Sequence, residues 1–248
     1  MDNYNSYWYF SSLLSNEECK KIIELGNSKK MVSAHTMGED QKSSDSRVSQ
    51  KDLTISQLKS KNLTKENTYV RDSDVCWLNE EWLYDLIIPK VLEANKLAGW
   101  NYDIDCHEDI QFTKYNSPGG FYGWHRDGSG DWPAIYKRYI PGVSNAEPRK
   151  NGATPNGYTT VHEQVGKVRK LSVTINLSDS SDYEGGLLKF DYGEHTDKQY
   201  HVCNEITPKG SMIVFPSYTP HCVTPVTKGT RYSLVVWCLG RPFRWLIL

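Results

Sequence analysis

The chain has 248 residues, with 29 Lys+Arg against 30 Asp+Glu and a formal net charge of −1. That size suits one domain, and the charge balance gives no electrostatic footprint for wrapping a nucleic-acid backbone. No window approaches the roughly 20 apolar residues that cross a bilayer, and the start MDNYNSYWYF lacks a basic segment followed by an apolar one, so a cytoplasmic protein without a membrane partner is expected.

Six cysteines form no CxxC pair and read as reduced thiols, not as a disulfide framework or a zinc clamp. Ser15 to Leu25 reads as an amphipathic helix. Ser15 and Glu18 make a capping box, Gly26 marks a C-terminal stop, and Cys19, Ile22, Ile23 and Leu25 form the apolar stripe. Lys29 to Lys65 is polar and Ser/Lys-rich, and reads as irregular surface chain or a weak helix pair, with Lys42 to Lys65 as a solvated face. Tyr69 to Leu78 reads as a strand. Asn79 to Ala98 reads as a long helix despite Pro89, with Trp82, Leu83, Leu86, Ile87, Val91, Leu92 and Leu97 as its apolar positions.

After Gly99 the period changes to two. WNYDIDC and DIQFTKY alternate as strands and lead into the turn Asn116 to Gly120. Further strands are expected at Leu171–Leu177, Leu187–Tyr192, around Ile206, at Ser211–Phe215 and at Arg231–Cys238, with turn residues between them. Helices followed by many short strands imply an α+β chain whose second half is a sandwich or jelly roll. The expected organisation is a single domain over 1–248, with 1–108 as helical and strand support and 109–240 as the β core. Gly128 to Val168 is rich in Gly and Pro. It reads either as a lid over a site or as a tolerated surface insertion.

The chemistry concentrates in QFTKYNSPGGFYGWHRD, Gln111 to Asp127. On a strand His125 and Asp127 point the same way, so an imidazole and a carboxylate can take adjacent positions on one cation. The distant His221 supplies a third ligand for the facial arrangement of two histidines and one carboxylate that holds iron(II) and leaves positions open. Arg231 follows ten residues later at the start of an apolar strand. A guanidinium there calls for an anionic partner, and one carboxylate of a small diacid would pair with it bidentately.

His125-x-Asp127, distant His221 and Arg231 together resemble the iron(II)/2-oxoglutarate-dependent oxygenases, within them the prolyl 4-hydroxylase-like branch and its PKHD-type hydroxylases. Tyr115-x-x-x-Gly119-x-x-Tyr122 before the first metal strand carries the likeness further. So do LSVTINL followed by DYEGG, Asp182 to Gly186, and Phe215-Pro216-Ser217 before His221. The likeness covers residues 109–240 closely. It implies a double-stranded β-helix with iron(II) at one mouth and 2-oxoglutarate as cosubstrate, with ascorbate as an optional auxiliary. The implied activity is a dioxygenase of the procollagen-proline 4-dioxygenase type, hydroxylating a proline-containing peptide or protein while 2-oxoglutarate is decarboxylated to succinate. By position, His125, Asp127 and His221 would hold the metal. Arg231, Tyr115, Ser172, Thr174 and Asn176 would bind the cosubstrate, and Tyr122 and Trp237 would stand at the substrate mouth.

Other readings stay open. The substrate could be a free amino acid or another small molecule. A nucleobase is disfavoured by the missing basic patch and by Trp237, where such demethylases carry a second arginine. A non-catalytic jelly-roll binding module is the remaining class. His107-Glu108-Asp109 repeats the His-x-Asp spacing without the surrounding pattern and reads as surface. Trp124 alternates away from His125 and Asp127 and reads as core. His35, His162, His195 and His201 read as solvated or hydrogen-bonded histidines.

Overall fold

A computed structural model describes residues 5–34, 71–128, 135–144, 157–193 and 200–243. Helix α1 (Asn16–Ser28) starts as its sequence dictates: the Ser15 side chain accepts from the Glu18 main-chain N–H, and the Glu18 carboxylate accepts from Ser15 N. Gly26 does not end it. The helix runs two residues further and Gly26 lies buried within it, because a Cβ there would stand 2.4 Å from the Phe112 ring. The absent side chain lets helix and sheet approach. Helix α2 (Glu81–Leu97) buries Leu83, Ile87, Val91 and Ala94. Leu92 and Leu97, expected in the stripe, are exposed.

The strands, in chain order, are β1 (Trp8–Phe10), β2 (Val32–Ser33), β3 (Arg71–Asp72), β4 (Asp74–Leu78), β5 (Cys106–His107), β6 (Ile110–Asn116), β7 (Phe121–His125), β8 (Lys137–Arg138), β9 (Tyr158–Thr159), β10 (Val168–Asn176), β11 (Tyr183–Gly185), β12 (Leu188–Phe190), β13 (His201–Val202), β14 (Met212–Pro216), β15 (His221–Val223) and β16 (Val226–Gly240). Nine form a major sheet in the order β1-β14-β10-β16-β6-β4-β2, with β5 and β11 also paired to β16. Five form a minor sheet, β13-β12-β15-β7-β3. The two sheets make the double-stranded β-helix.

Three expectations need correction. The strand from Tyr69 breaks at Ser73 within the described residues, and its halves join different sheets: β3 pairs with β7, and β4 with β6. The leading segment therefore supplies strands to both sheets as well as helices. Of WNYDIDC only Cys106 is in a strand, and Ile206 sits in a 3-10 turn, Asn204–Ile206, after the short strand β13. Within Gly128 to Val168 the described residues include a two-stranded parallel sheet of β8 and β9. Residues 129–134 and 145–156 of that stretch, residues 35–70 (His35 among them) and His195 lie outside the described residues.

Alternation along three central strands separates two environments. Phe112 on β6, Leu171, Val173 and Ile175 on β10, and Leu234, Val236 and Cys238 on β16 pack with α1 and α2 in one apolar cluster. The intervening residues face the other sheet. These are Gln111, Thr113 and Tyr115, then Ser172, Thr174 and Asn176, then Arg231, Ser233, Val235 and Trp237, brought side by side by register (Arg231 opposite Tyr115, Ser172 opposite Trp237, Asn176 opposite Ser233).

Candidate metal centre

His125 ends β7 and His221 begins β15, and the two are direct register partners in the minor sheet. Asp127 lies just beyond β7, where its main-chain N–H donates to Ser217 O at 3.0 Å. The ligand-type atoms of His125, Asp127 and His221 all lie within 4.8 Å of one another. Each imidazole Nε2 is 3.5 Å from an Asp127 carboxylate oxygen, beyond a well-formed hydrogen bond.

The tautomers follow from the other ring nitrogens. His125 Nδ1 lies 2.8 Å from Gly123 O, and His221 Nδ1 lies 2.9 Å from Thr219 O. A carbonyl oxygen only accepts, so each Nδ1 carries a hydrogen, and in the neutral ring each Nε2 turns a lone pair toward Asp127. Burial and the adjacent His125 push His221 down to about 4, which leaves it the neutral imidazole that a metal requires. Burial by itself would raise the Asp127 carboxyl, but the protonated forms that His221 and His125 take in acid, together with the Arg169 guanidinium, outweigh it and hold the group well below its usual range. Two neutral imidazoles and one carboxylate on one side of a cation fit iron(II) with positions open to other ligands.

Arg231 is 2% exposed, and among the described residues no carboxylate lies within ion-pair distance of it. Its guanidinium carbon stands 5.6 Å from the Tyr115 ring centroid. Gly186, at φ +61, makes room for it, since a Cβ there would come within 2.8 Å of Arg231 Cδ. A buried cation without an internal anion suits the far carboxylate of 2-oxoglutarate.

The other expected residues divide. Tyr115 and Ser172 are buried on the same inner face, and Thr174 is half-buried there. Ser172 Oγ donates to Ser217 Oγ at 2.9 Å. Asn176 is committed elsewhere: its amide donates to Ser178 O and Thr207 O and accepts from Ser178 N, which leaves it no free donor for a cosubstrate. Tyr122 stacks on His125 with ring centroids 3.4 Å apart, and burial pushes its phenol above the ordinary value, so it stays protonated. Trp237 is buried, and its Nε1 has no hydrogen-bond partner among the described residues. Trp124 is not core: it is 41% exposed and lies against Tyr200.

Sequence reasoning missed Arg71, Glu108, Tyr136 and Arg169. Glu108, read as surface, is 3% exposed and paired bidentately with Arg169. Arg169 is brought to the inner face by a bulge between Arg169 and Leu171, which strict alternation could not show. Arg71 lies 4.5 Å over the Tyr122 ring and donates to Ser73 Oγ.

The family profile of the 2OG-Fe(II) oxygenase superfamily matches residues 110–239. A PKHD-type hydroxylase of Synechococcus sp. (strain CC9605) is 44% identical over 69 residues, which are 28% of this chain and 29% of that protein. The chain thus spans under a third of that curated relative's length. Among solved structures, a viral collagen prolyl hydroxylase from Paramecium Bursaria Chlorella virus-1 in a 2OG complex aligns with a TM-score of 0.52 at 20% identity, covering 95% of this chain and 97% of that one. A prolyl hydroxylase from Trichoplax adhaerens, in complex with a hypoxia inducible factor oxygen degradation domain peptide fragment, aligns with a TM-score of 0.54 at 16% identity, covering 95% and 84%. At these identities the structural likeness establishes the fold. With the profile matched over more than half of its length, the chain belongs to the 2OG-Fe(II) oxygenase superfamily.

Proposed function

We propose that this protein is an iron(II)- and 2-oxoglutarate-dependent dioxygenase that hydroxylates a peptidyl residue, proline, with decarboxylation of 2-oxoglutarate to succinate. His125 Nε2, His221 Nε2 and the Asp127 carboxylate hold the metal. Arg231 grips the far carboxylate of the cosubstrate, with Tyr115, Ser172 and Thr174 along the same wall. Iron(II) with 2-oxoglutarate supplies the activation of dioxygen. Tyr122, stacked against His125, keeps that ring in place and closes one side of the mouth. Trp237 offers its unsatisfied Nε1–H to an acceptor on whatever enters; leaving it unmet costs about 1–3 kcal/mol.

The observation that carries the reading is the pair of imidazoles whose Nδ1 atoms are tied to carbonyls while both Nε2 atoms turn to Asp127. The solved prolyl hydroxylases of the same fold, one of them holding a peptide, support the choice of proline. Mass spectrometry of proline-containing peptide pools, incubated with iron(II) and with or without 2-oxoglutarate, tests it. A gain of one oxygen on proline, dependent on 2-oxoglutarate, is expected; cosubstrate turnover with no modified peptide in any pool overturns the peptidyl reading.

One observation favours a second reading, hydroxylation of a free amino acid or another small acid. Arg71 is 8% exposed, faces Tyr122, and meets no carboxylate among the described residues, so a substrate bearing its own carboxylate would satisfy it. A free amino-acid panel run beside the peptides separates the two.

A further inference from the structure

One of the candidate ligands, Asp127, is held by a buried polar bracket that includes Tyr136. The Glu108 carboxylate accepts from Arg169 Nε at 2.5 Å, from Arg169 Nη2 at 2.7 Å and from Tyr136 Oη at 2.5 Å. The third arm of the guanidinium, Nη1, donates to the main-chain oxygen of Asp127 at 2.9 Å. Its face lies 3.9 Å from the Trp237 ring centroid, so the plane of the fork is set as well as its reach. Tyr136 is anchored in turn through its own main chain, which bonds Lys167 O and Gly166 N.

A buried ion pair adds little net stability, because desolvation offsets the attraction; its value lies in geometry. Here it determines where the Asp127 main chain sits. With Asp127 N bonded to Ser217 O and Asp127 O bonded to Arg169, both main-chain polar groups of that residue are fixed, and only side-chain torsions remain to aim the carboxylate.

We propose that Arg169, clamped by Glu108 and Tyr136, is a positioning residue for the metal site: it fixes the Asp127 main chain, and Tyr136 ties its own described segment to that site. The inference rests on the reading of His125, Asp127 and His221 as metal ligands. It assigns Tyr136 a role that needs no contact with substrate, and it assigns Glu108 a role although it touches no ligand.

Cobalt(II) titration of the full chain, followed by visible absorption, tests this without turnover. Glu108→Gln is expected to weaken Co(II) binding at least about tenfold, the effect of losing a partner that orients a ligand. Arg169→Lys should do the same although the charge is kept, since an ammonium cannot hold the fork on Glu108 and reach Asp127 O together. Tyr136→Phe should weaken binding about threefold, as one lost hydrogen bond would. The cobalt bands should shift in all three. Ile87→Val, in the helix-packed core, should lower Tm yet leave the Co(II) Kd within about twofold of the parent. If the parent binds Co(II) and all three bracket variants match it in affinity and spectrum, the bracket is structural only and the inference falls. If the parent itself does not bind Co(II), the metal reading falls and takes this inference with it. Should Glu108→Gln fail to fold, Tyr136→Phe, which removes a single hydroxyl, decides.

Discussion

The two faces of the major sheet come from the same strands and do different work. On β10, Leu171, Val173 and Ile175 enter the helix-packed core, while Ser172, Thr174 and Asn176 point inward between the sheets. On β16, Leu234, Val236 and Cys238 face the helices, while Arg231, Ser233 and Trp237 face the other sheet. The outer face is apolar throughout its centre. The inner face carries a fully buried guanidinium and an indole N–H with no partner among the described residues, features that cost stability unless a ligand meets them. A strand period of two thus lets one segment stabilise the fold and build the site at once, and tolerance to substitution should switch from one residue to the next.

That contrast can be broken experimentally. The largest effect is expected for His221→Ala on the inner side, where 2-oxoglutarate-dependent succinate release should fall to background while the far-ultraviolet spectrum and cooperative unfolding persist. Loss of the fold together with activity would erase the distinction. Phe112→Ala on the outer face should do the reverse. It should cost about 3–5 kcal/mol in urea unfolding, as a large buried ring leaves a cavity, with Co(II) affinity of the folded fraction unchanged. Next comes Arg231→Gln, which removes a charge-assisted pair of about 1.5–3 kcal/mol. Its apparent Kd for 2-oxoglutarate should rise about ten- to a hundredfold, with metal binding retained.

The smallest effect is in pH dependence. His221 is held at about 4 in the fold, below its ordinary value, so the neutral form that folding requires is fully present above about 6.5 and is lost as pH falls toward the folded value. The metal-free protein should lose on the order of 1–2 kcal/mol more than His221→Ala between pH 6.5 and 5. Equal losses in the two proteins would remove His221 as the cause.

Much of this architecture was legible in the sequence where the signals are local. The capping box at Ser15 and Glu18, the alternation in LSVTINL and the pair His125-x-Asp127 report on neighbours along one strand or turn, while His221 and Arg231 stood out through the resemblance to a family pattern. What stayed hidden depends on partners far away. Glu108 and Arg169 are charged residues that look solvated until their side chains meet across 61 positions. Arg169 shares parity with Leu171, and only the bulge between them turns it inward. Gly26 resembles a helix stop because the Phe112 ring that demands it belongs to β6. Trp124 looked like core because alternation tells which face a residue takes, not whether that face is covered.

The cysteines carry a last consequence. Five of the six are buried, and burial pushes the thiols of Cys19 and Cys76 up to about 11 and those of Cys203 and Cys238 up to about 12. Oxidants attack the thiolate, and such groups hold almost none at neutral pH. With the proposed function, a site that handles dioxygen would thus sit among thiols held in an inert form. Even the half-exposed Cys106 is raised by burial and donates to Glu163 O, so the described thiols share one protection that comes from packing alone.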